Sequence, residues 1–294
     1  MAHNAVASLD AGPLAGVHAV CVAIYVPALV AAARLRSLGA TVTVVEPPTG
    51  NPLELICEPW YRSLTAGTEI VRVDLKSTPG RGALEALLTG ADVLLTSMRG
   101  KALGRLGLAW PDLHARHPPL CHVAITGFAP PNDEAPGHDL TYLAPTGLLN
   151  PPAMPRTLLA DIAGGERAAL EVVALLLART RGGAARRSDV SLADAALPFA
   201  APYQHGLTAA GGVLGGGFAN YGLYAARDGW VAVGALESHF SERLAAELGV
   251  GNGALDREAL TRIMATRGAV EWERWATERD LPIAAVRGST GAAG

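Results

Sequence analysis

Three ionisable side chains sit where one secondary-structure signal gives way to another, the positions at which reactive groups concentrate. His138 lies in Gly137–His138–Asp139, which closes a polar loop running from Pro130 to Pro136. Asp161 stands just ahead of a long apolar segment and is followed by Gly164 and Gly165. Glu237 ends the apolar run Trp230–Leu236 and enters the next helical pattern. Imidazole and carboxyl groups take up and release protons in acid–base catalysis. Each of the three also has a plain structural explanation. His138 could be a loop histidine with its hydrogen bond met. Asp161 could cap a helix, and Glu237 could serve the positive end of a helix from its first turn. Taken singly, none is specific.

The elements around them follow a regular rhythm. Val17–Ile24 is an almost unbroken apolar run with several β-branched residues, which suits a strand buried on both faces. Pro27 falls where a first helical turn tolerates it, and the helix stops at Gly39. Thr41–Val45, Ile70–Leu75, Val93–Thr96 and Leu120–Thr126 read as further strands, with a helix over Pro79–Leu88. Such alternation implies an α/β fold with a mostly parallel sheet, which takes its ligands at the carboxyl ends of the strands. The segment Gly164–Arg179 is apolar almost all round, so a central, buried helix is expected. The glycine-rich stretch Ala209–Gly217 lacks the strand and helix that frame a phosphate loop, and reads as a linker or an active-site loop. A smaller unit follows: a strand over Trp230–Leu236, then helices near Phe240–Leu248, Asp256–Thr266 and Val270–Arg279. The organisation expected is a large Rossmann-like domain over 1–190, a linker over 191–217 and a small α/β domain over 218–294.

Composition narrows the class. Half of the 294 residues are apolar and 17% are charged, with a net charge of -3, so nucleic acid is not an expected partner. Cys21, Cys57 and Cys121 have no metal-ligand spacing and read as buried, reduced thiols of a cytoplasmic protein, with no metal. Met1–Ala15 lacks the charged and apolar regions of a signal peptide. The apolar stretch Val17–Ala33 contains His18 and Pro27 and is better explained by a strand running into a helix than by a membrane span.

Several blocks, taken in order, resemble family III CoA-transferases. LAGVHAVCVA and LRSLGATVTVVEPPTG are similar to the opening of that family. VRVDLKSTPGRGALEALLTGADVLLTSMRGKALGRLGL, then ITGF, GHDLTYLAPTG and LLADIAGGERAALEVVALLLARTRGG, follow in its order, and the resemblance spans about residues 13–287. GHD and GLYAARDGWVAVGALESHF look like the branch that racemises 2-methylacyl-CoA thioesters. The resemblance implies an interlocked homodimer acting on an acyl-CoA, with CoA as part of the substrate and no separate cofactor. It implies that His138 and Asp161 are opposed acid–base groups and that Glu237 pairs with His138. Backbone N–H groups near Asp139 would receive an enolate oxygen. Gly164 and Gly165 would let the backbone approach the thioester, and Gly137 and Arg99 complete the expected binding set.

Two departures from the family pattern stand beside the likeness. Thr65–Glu69, just before the VDLK strand, carries no positive charge where family members have a basic cluster, and Pro47 and Pro48 stand where a basic residue is common. Arg34, Arg36, Arg72, Lys76, Arg99 and Lys101 are the candidate substitutes. Family chains also continue beyond the small domain, whereas this one stops at Gly294 in a polar, frayed-looking end, Ser289–Gly294. The competing readings are a CoA-transferase with Asp161 as nucleophile and a repurposed homologue with weakened CoA binding. Nicotinamide-dependent oxidoreduction has only the glycine-rich stretch behind it. Phe218, Tyr221 and Tyr224 are candidates either for an apolar pocket or for the core.

Overall fold

A computed structural model describes residues 12–250 and 255–287. Ser289–Gly294 and most of Met1–Ala15 lie outside the described residues. The chain forms two compact units, divided between Ala200 and Ala201.

In the first unit β1 (His18–Val22) leads through α1 (Val26–Ser37) to β2 (Thr41–Glu46). The short α2 (Pro52–Ile56) and α3 (Glu58–Thr65) precede β3 (Glu69–Arg72). The chain then returns through α4 (Thr78–Thr89) to β4 (Val93–Thr96), and through α5 (Gly100–Arg105) and α6 (Trp110–Arg116) to β5 (Cys121–Thr126). The short α7 (Asp139–Leu143) and the 22-residue α8 (Leu159–Thr180) lead to β6 (Arg187–Ser191), and α9 (Leu192–Gln204) carries the chain past the boundary. The six strands make one parallel sheet in the order β3-β2-β1-β4-β5-β6. The order reverses between β1 and β4, so a crevice opens at their carboxyl ends.

Side chains alternate across this sheet. Cys21, Val44, Leu95 and Val123 pack on one face with Leu29, Ala32 and Val172 of α1 and α8. Val20, Val22 and Leu94 pack on the other with Leu84, Leu103 and Leu113 of α4, α5 and α6. Burial on both faces is why the strands are near-continuous apolar runs. Two thiols are in this core, and burial pushes Cys21 up to about 12, which keeps it neutral. Cys57 departs from expectation and is exposed where α2 meets α3.

The second unit has β7 (Tyr221–Ala226), β8 (Gly229–Gly234), α10 (Ser238–Glu247), α11 (Arg257–Met264), α12 (Ala269–Thr277) and β9 (Ile283–Ala285). Its strands form an antiparallel sheet in the order β7-β8-β9. Tyr224 is core, packed with Val231, Val233, Leu244 and Trp272, and its hydroxyl donates to the Ala219 carbonyl. No helix among the described residues is long and apolar enough to cross a membrane.

Three expectations change. The span 191–217 is not a linker throughout, since α9 occupies its first half, and the boundary at Ala200 falls inside that helix. The long helix begins at Leu159, so Asp161 is inside its first turn. It is not buried all round either: Leu170 is 66% and Leu177 48% exposed, on a stripe facing away from the sheet.

Helices α1 and α8 touch through glycine. A Cβ built on Gly165 would lie 2.5 Å from the Pro27 carbonyl oxygen and 2.7 Å from Val30 Cβ. Gly165→Ala should therefore lose about 1–3 kcal/mol through overpacking. Gly82→Ala, at an exposed helical site with nothing within 4 Å, should gain about 0.5–1 kcal/mol. Urea unfolding of the pair checks both signs.

Candidate active site

The crevice at the sheet reversal is a cavity of about 1190 Å³, and every residue lining it belongs to the first unit. The ends of β1 to β5 form its floor, and His138, Tyr142 and Asp161 share its wall.

His138 is the residue before α7. Its N–H donates to Thr141 Oγ1 at 2.9 Å, and the Thr141 hydroxyl donates back to the His138 carbonyl at 2.8 Å. That carbonyl also accepts the Thr141 and Tyr142 N–H groups at 2.8 and 3.1 Å. The main chain is thereby fixed on both sides of the residue, while the side chain is exposed at the cavity.

Asp161 is the third residue of α8 and partly buried. A helix N-terminus favours a carboxylate, which alone would hold the carboxyl pKa down. Burial opposes this more strongly, and the negative Asp139 adds to it, so Asp161 is pushed up to about 7. It therefore exists both as acid and as base at neutral pH, the condition a proton carrier needs. Asp139 itself is 4% exposed, and its Oδ1 accepts the Asp161 N–H at 3.0 Å.

Tyr142, on α7 four residues after His138, is a site residue that the sequence pattern does not single out, although that spacing from the helix's preceding residue is a usable signal. It is buried, with its ring edge-on to Phe128 at 5.1 Å and 82°. Burial first, and then the charge of Asp161, push its phenol up. Two bare backbone positions make room for it. A Cβ on Gly127 would lie 2.5 Å from Tyr142 Oη, and one on Gly137 would run into the ring edge.

The remaining expected residues sort by geometry. Arg99, just before α5, lines the cavity. Gly137 lines it too, but its lack of a side chain is taken up by Tyr142. Gly164 and Gly165 do not line it: Cβ atoms there would strike Leu192 and α1, so these glycines serve helix packing rather than a thioester. Glu237 lies in the second unit, exposed at the residue before α10, with no capping hydrogen bond from its side chain. Among the candidate cations, Arg34 is bound to Glu166 at 2.8 Å, and Arg72 to Glu46 and Glu54 at 3.2 and 2.6 Å. Lys76, Arg99 and Lys101, with Arg105 beside them in the lining, face the cavity with no ion pair among the described residues.

A parallel sheet reversing at β1 and β4, with His138 and Asp161 lining the cavity at its carboxyl ends, defines a Rossmann-like scaffold. The chain belongs to CoA-transferase family III, whose sequence pattern matches residues 14–293. It is 31% identical over 205 residues to alpha-methylacyl-CoA racemase of Mus musculus, covering 64% of this chain and 54% of that protein. It is 31% identical over 181 residues to a probable fatty acyl-CoA transferase of Mycobacterium tuberculosis, Rv3272, covering 55% and 46%. A cinnamoyl-CoA:phenyllactate CoA-transferase of Clostridium sporogenes is 32% identical over 139 residues, 43% of this chain and 34% of that one. The chain thus spans about half the length, or less, of these curated relatives. The crystal structure of Rv3272 superposes with a TM-score of 0.81 at 25% identity, covering 95% of this chain and 86% of that one.

The raised Asp161 carboxyl has a stability consequence. Its proton is held more tightly folded than unfolded, so the stabilisation it gives is full below about pH 4 and is lost as pH rises toward 7. Asp161→Asn, which stays neutral, should match the wild type at pH 4. It should be the more stable protein at pH 8 by roughly 1–3 kcal/mol after solvent screening. Urea unfolding at the two pH values measures the difference.

Proposed function

We propose that the protein acts on acyl-CoA thioesters and inverts the α-carbon of a 2-methylacyl-CoA by 1,1-proton transfer. The observation that carries this reading is the sharing of one cavity by His138 and Asp161, with Asp161 pushed up to about 7. A thioester acidifies the adjacent C–H because the carbanion left behind delocalises as an enolate. Inversion needs a base on one face and an acid on the other, exchanging roles with substrate handedness. An imidazole and a carboxyl poised near neutrality satisfy both directions. The enolate oxygen would be received by N–H groups at the start of α7, which have no partner within the helix.

The nucleotide part of CoA is anionic, and the basic cluster expected before β3 is absent here. We assign its role to Lys76, Arg99, Lys101 and Arg105, which line the cavity. The family homodimer is part of the same proposal and is read out by the mass in solution.

A second reading, CoA transfer, is favoured by the relatives that carry that name. There Asp161 as carboxylate would attack the thioester carbonyl, releasing CoA thiolate and leaving an acyl-aspartyl anhydride. The returning thiolate would attack the aspartyl carbonyl of the anhydride, giving an aspartyl–CoA thioester and releasing the donor acyl group as its carboxylate. An acceptor carboxylate would then displace CoA thiolate from that thioester, forming a second anhydride, and the thiolate would attack its acceptor carbonyl to free Asp161. A carboxyl held near pH 7 by burial serves proton transfer at least as directly as nucleophilic attack.

Incubation of one enantiomer of a 2-methylacyl-CoA in D₂O should give α-deuterium together with inversion. His138→Ala and Asp161→Ala should each lower that rate by about 100-fold or more. Absence of exchange above the blank with folded protein removes the racemase reading, and hydroxylamine capture of an acyl-Asp161 would replace it with transfer. Lys101→Ala and Arg105→Ala should each weaken CoA binding by about 10-fold in calorimetry.

A further inference from the structure

The buried group closest in function to Asp161 is one that proton transfer does not itself use. Asp139 is a charged residue only 4% exposed, held between the starts of two helices. Its Oδ1 accepts the Asp161 N–H at 3.0 Å. That N–H belongs to the first turn of α8, where it has no helical partner, so the carboxylate fills a vacancy the fold creates. The same side chain lies one residue after His138. A single carboxylate therefore joins the backbone beside one proposed proton carrier to the backbone of the other.

We infer that Asp139 is a positioning residue: its carboxylate clamps the first turn of α8 to the start of α7 and sets a fixed negative charge beside the Asp161 carboxyl. The clamp fixes where Asp161 enters the cavity. The charge opposes ionisation of Asp161, second only to burial, and so helps to keep a proton there near neutral pH. The other ionisable groups lining the cavity with Asp161 are Tyr25, His138, Tyr142, the acids Glu46, Asp74, Asp133 and Glu134, and the bases Lys76, Arg99, Lys101 and Arg105. Helix α1, packed against α8, presents Pro27 and Val30 to it. Among these neighbours, Asp139 is the one hydrogen-bonded to the Asp161 main chain.

The consequence for rate rests on the proposed role of Asp161 as a proton carrier, but the inference itself is tested without turnover. Protein labelled with ¹³C at the aspartate carboxyl carbons is titrated by NMR, with the Asp161 signal identified by its loss in Asp161→Asn. In the wild type its midpoint should lie well above that of an ordinary aspartate. Asp139→Asn removes the charge and keeps an oxygen acceptor. It should lower the Asp161 midpoint by about one pH unit while leaving the Asp161 amide slow to exchange with solvent. Asp139→Ala removes both charge and acceptor, so it should lower the midpoint and also speed amide exchange. It serves as the charge test as well if the Asn variant does not fold. A midpoint that stays at its wild-type value in whichever folded variant lacks the charge overturns the inference. A lowered midpoint upholds it even if the wild type shows no α-proton exchange, in which event the racemase reading alone falls.

Discussion

The placement of Asp161 depends on how closely α8 can lie on α1. Both helices pack on the same face of the sheet, with Ala28, Ala32, Ala168 and Val172 in the shared core. Close approach requires a position with no side chain, and Gly165 supplies it against Pro27 and Val30. Gly164, one residue earlier, makes the same allowance for Leu192. If either contact were looser, the first turn of α8 would lift from the crevice and take its carboxyl with it. The two glycines therefore act on chemistry at a distance, through helix position.

The electrostatics of the site is a contest between two ordinary effects. The start of a helix stabilises an anion by about 0.3–1 kcal/mol, and partial burial beside a second carboxylate disfavours it by more. The outcome, a carboxyl near pH 7, shows which wins at Asp161. At Glu46, on the same cavity, the balance is struck differently. That carboxylate is more deeply buried, yet it accepts the Tyr61 hydroxyl at 2.8 Å and Arg72 Nε at 3.2 Å, so its charge is compensated by partners. One carboxylate is spent in a structural network, and the other is left without a cation.

Much of the scaffold was legible in the sequence, because strands buried on both faces announce themselves as apolar runs. β1, β2, β4 and β5 fall within a residue or two of the spans read from pattern alone. β6 escaped because RSDVS is polar, as an edge strand with one neighbour can be. α9 escaped because two prolines and many alanines gave no clear period. At the site, the resemblance brought out His138 and Asp161, and the fold puts both on one cavity. What the pattern could not disclose was side-chain direction. Gly164 and Gly165 beside an aspartate suggest access for a ligand, yet a helix start facing α1 turns them into packing residues. Asp139 drew attention for its backbone N–H, whereas its carboxylate makes the informative contact.

The two proposed chemistries differ little in the geometry they require. A nucleophilic carboxylate must be ionised and aimed at a carbonyl carbon, while a proton carrier must hold a proton part of the time and face the α-carbon next to it. Those two carbons are directly bonded, so a shift of one bond length in the bound thioester changes which is met. In the proposed reading the choice rests mainly on the charge state of Asp161 and on which group shares its cavity. Burial and Asp139 push toward the protonated form, and His138, the second proton carrier of the proposed reaction, lines the same cavity. A site designed for nucleophilic attack gains from a nearby cation, which would keep the carboxylate ionised. Arg99 shares the cavity, yet no ion pair joins it to Asp161 among the described residues, and the carboxyl stays close to neutrality. That bias toward a shared proton is the physical content of the racemase reading.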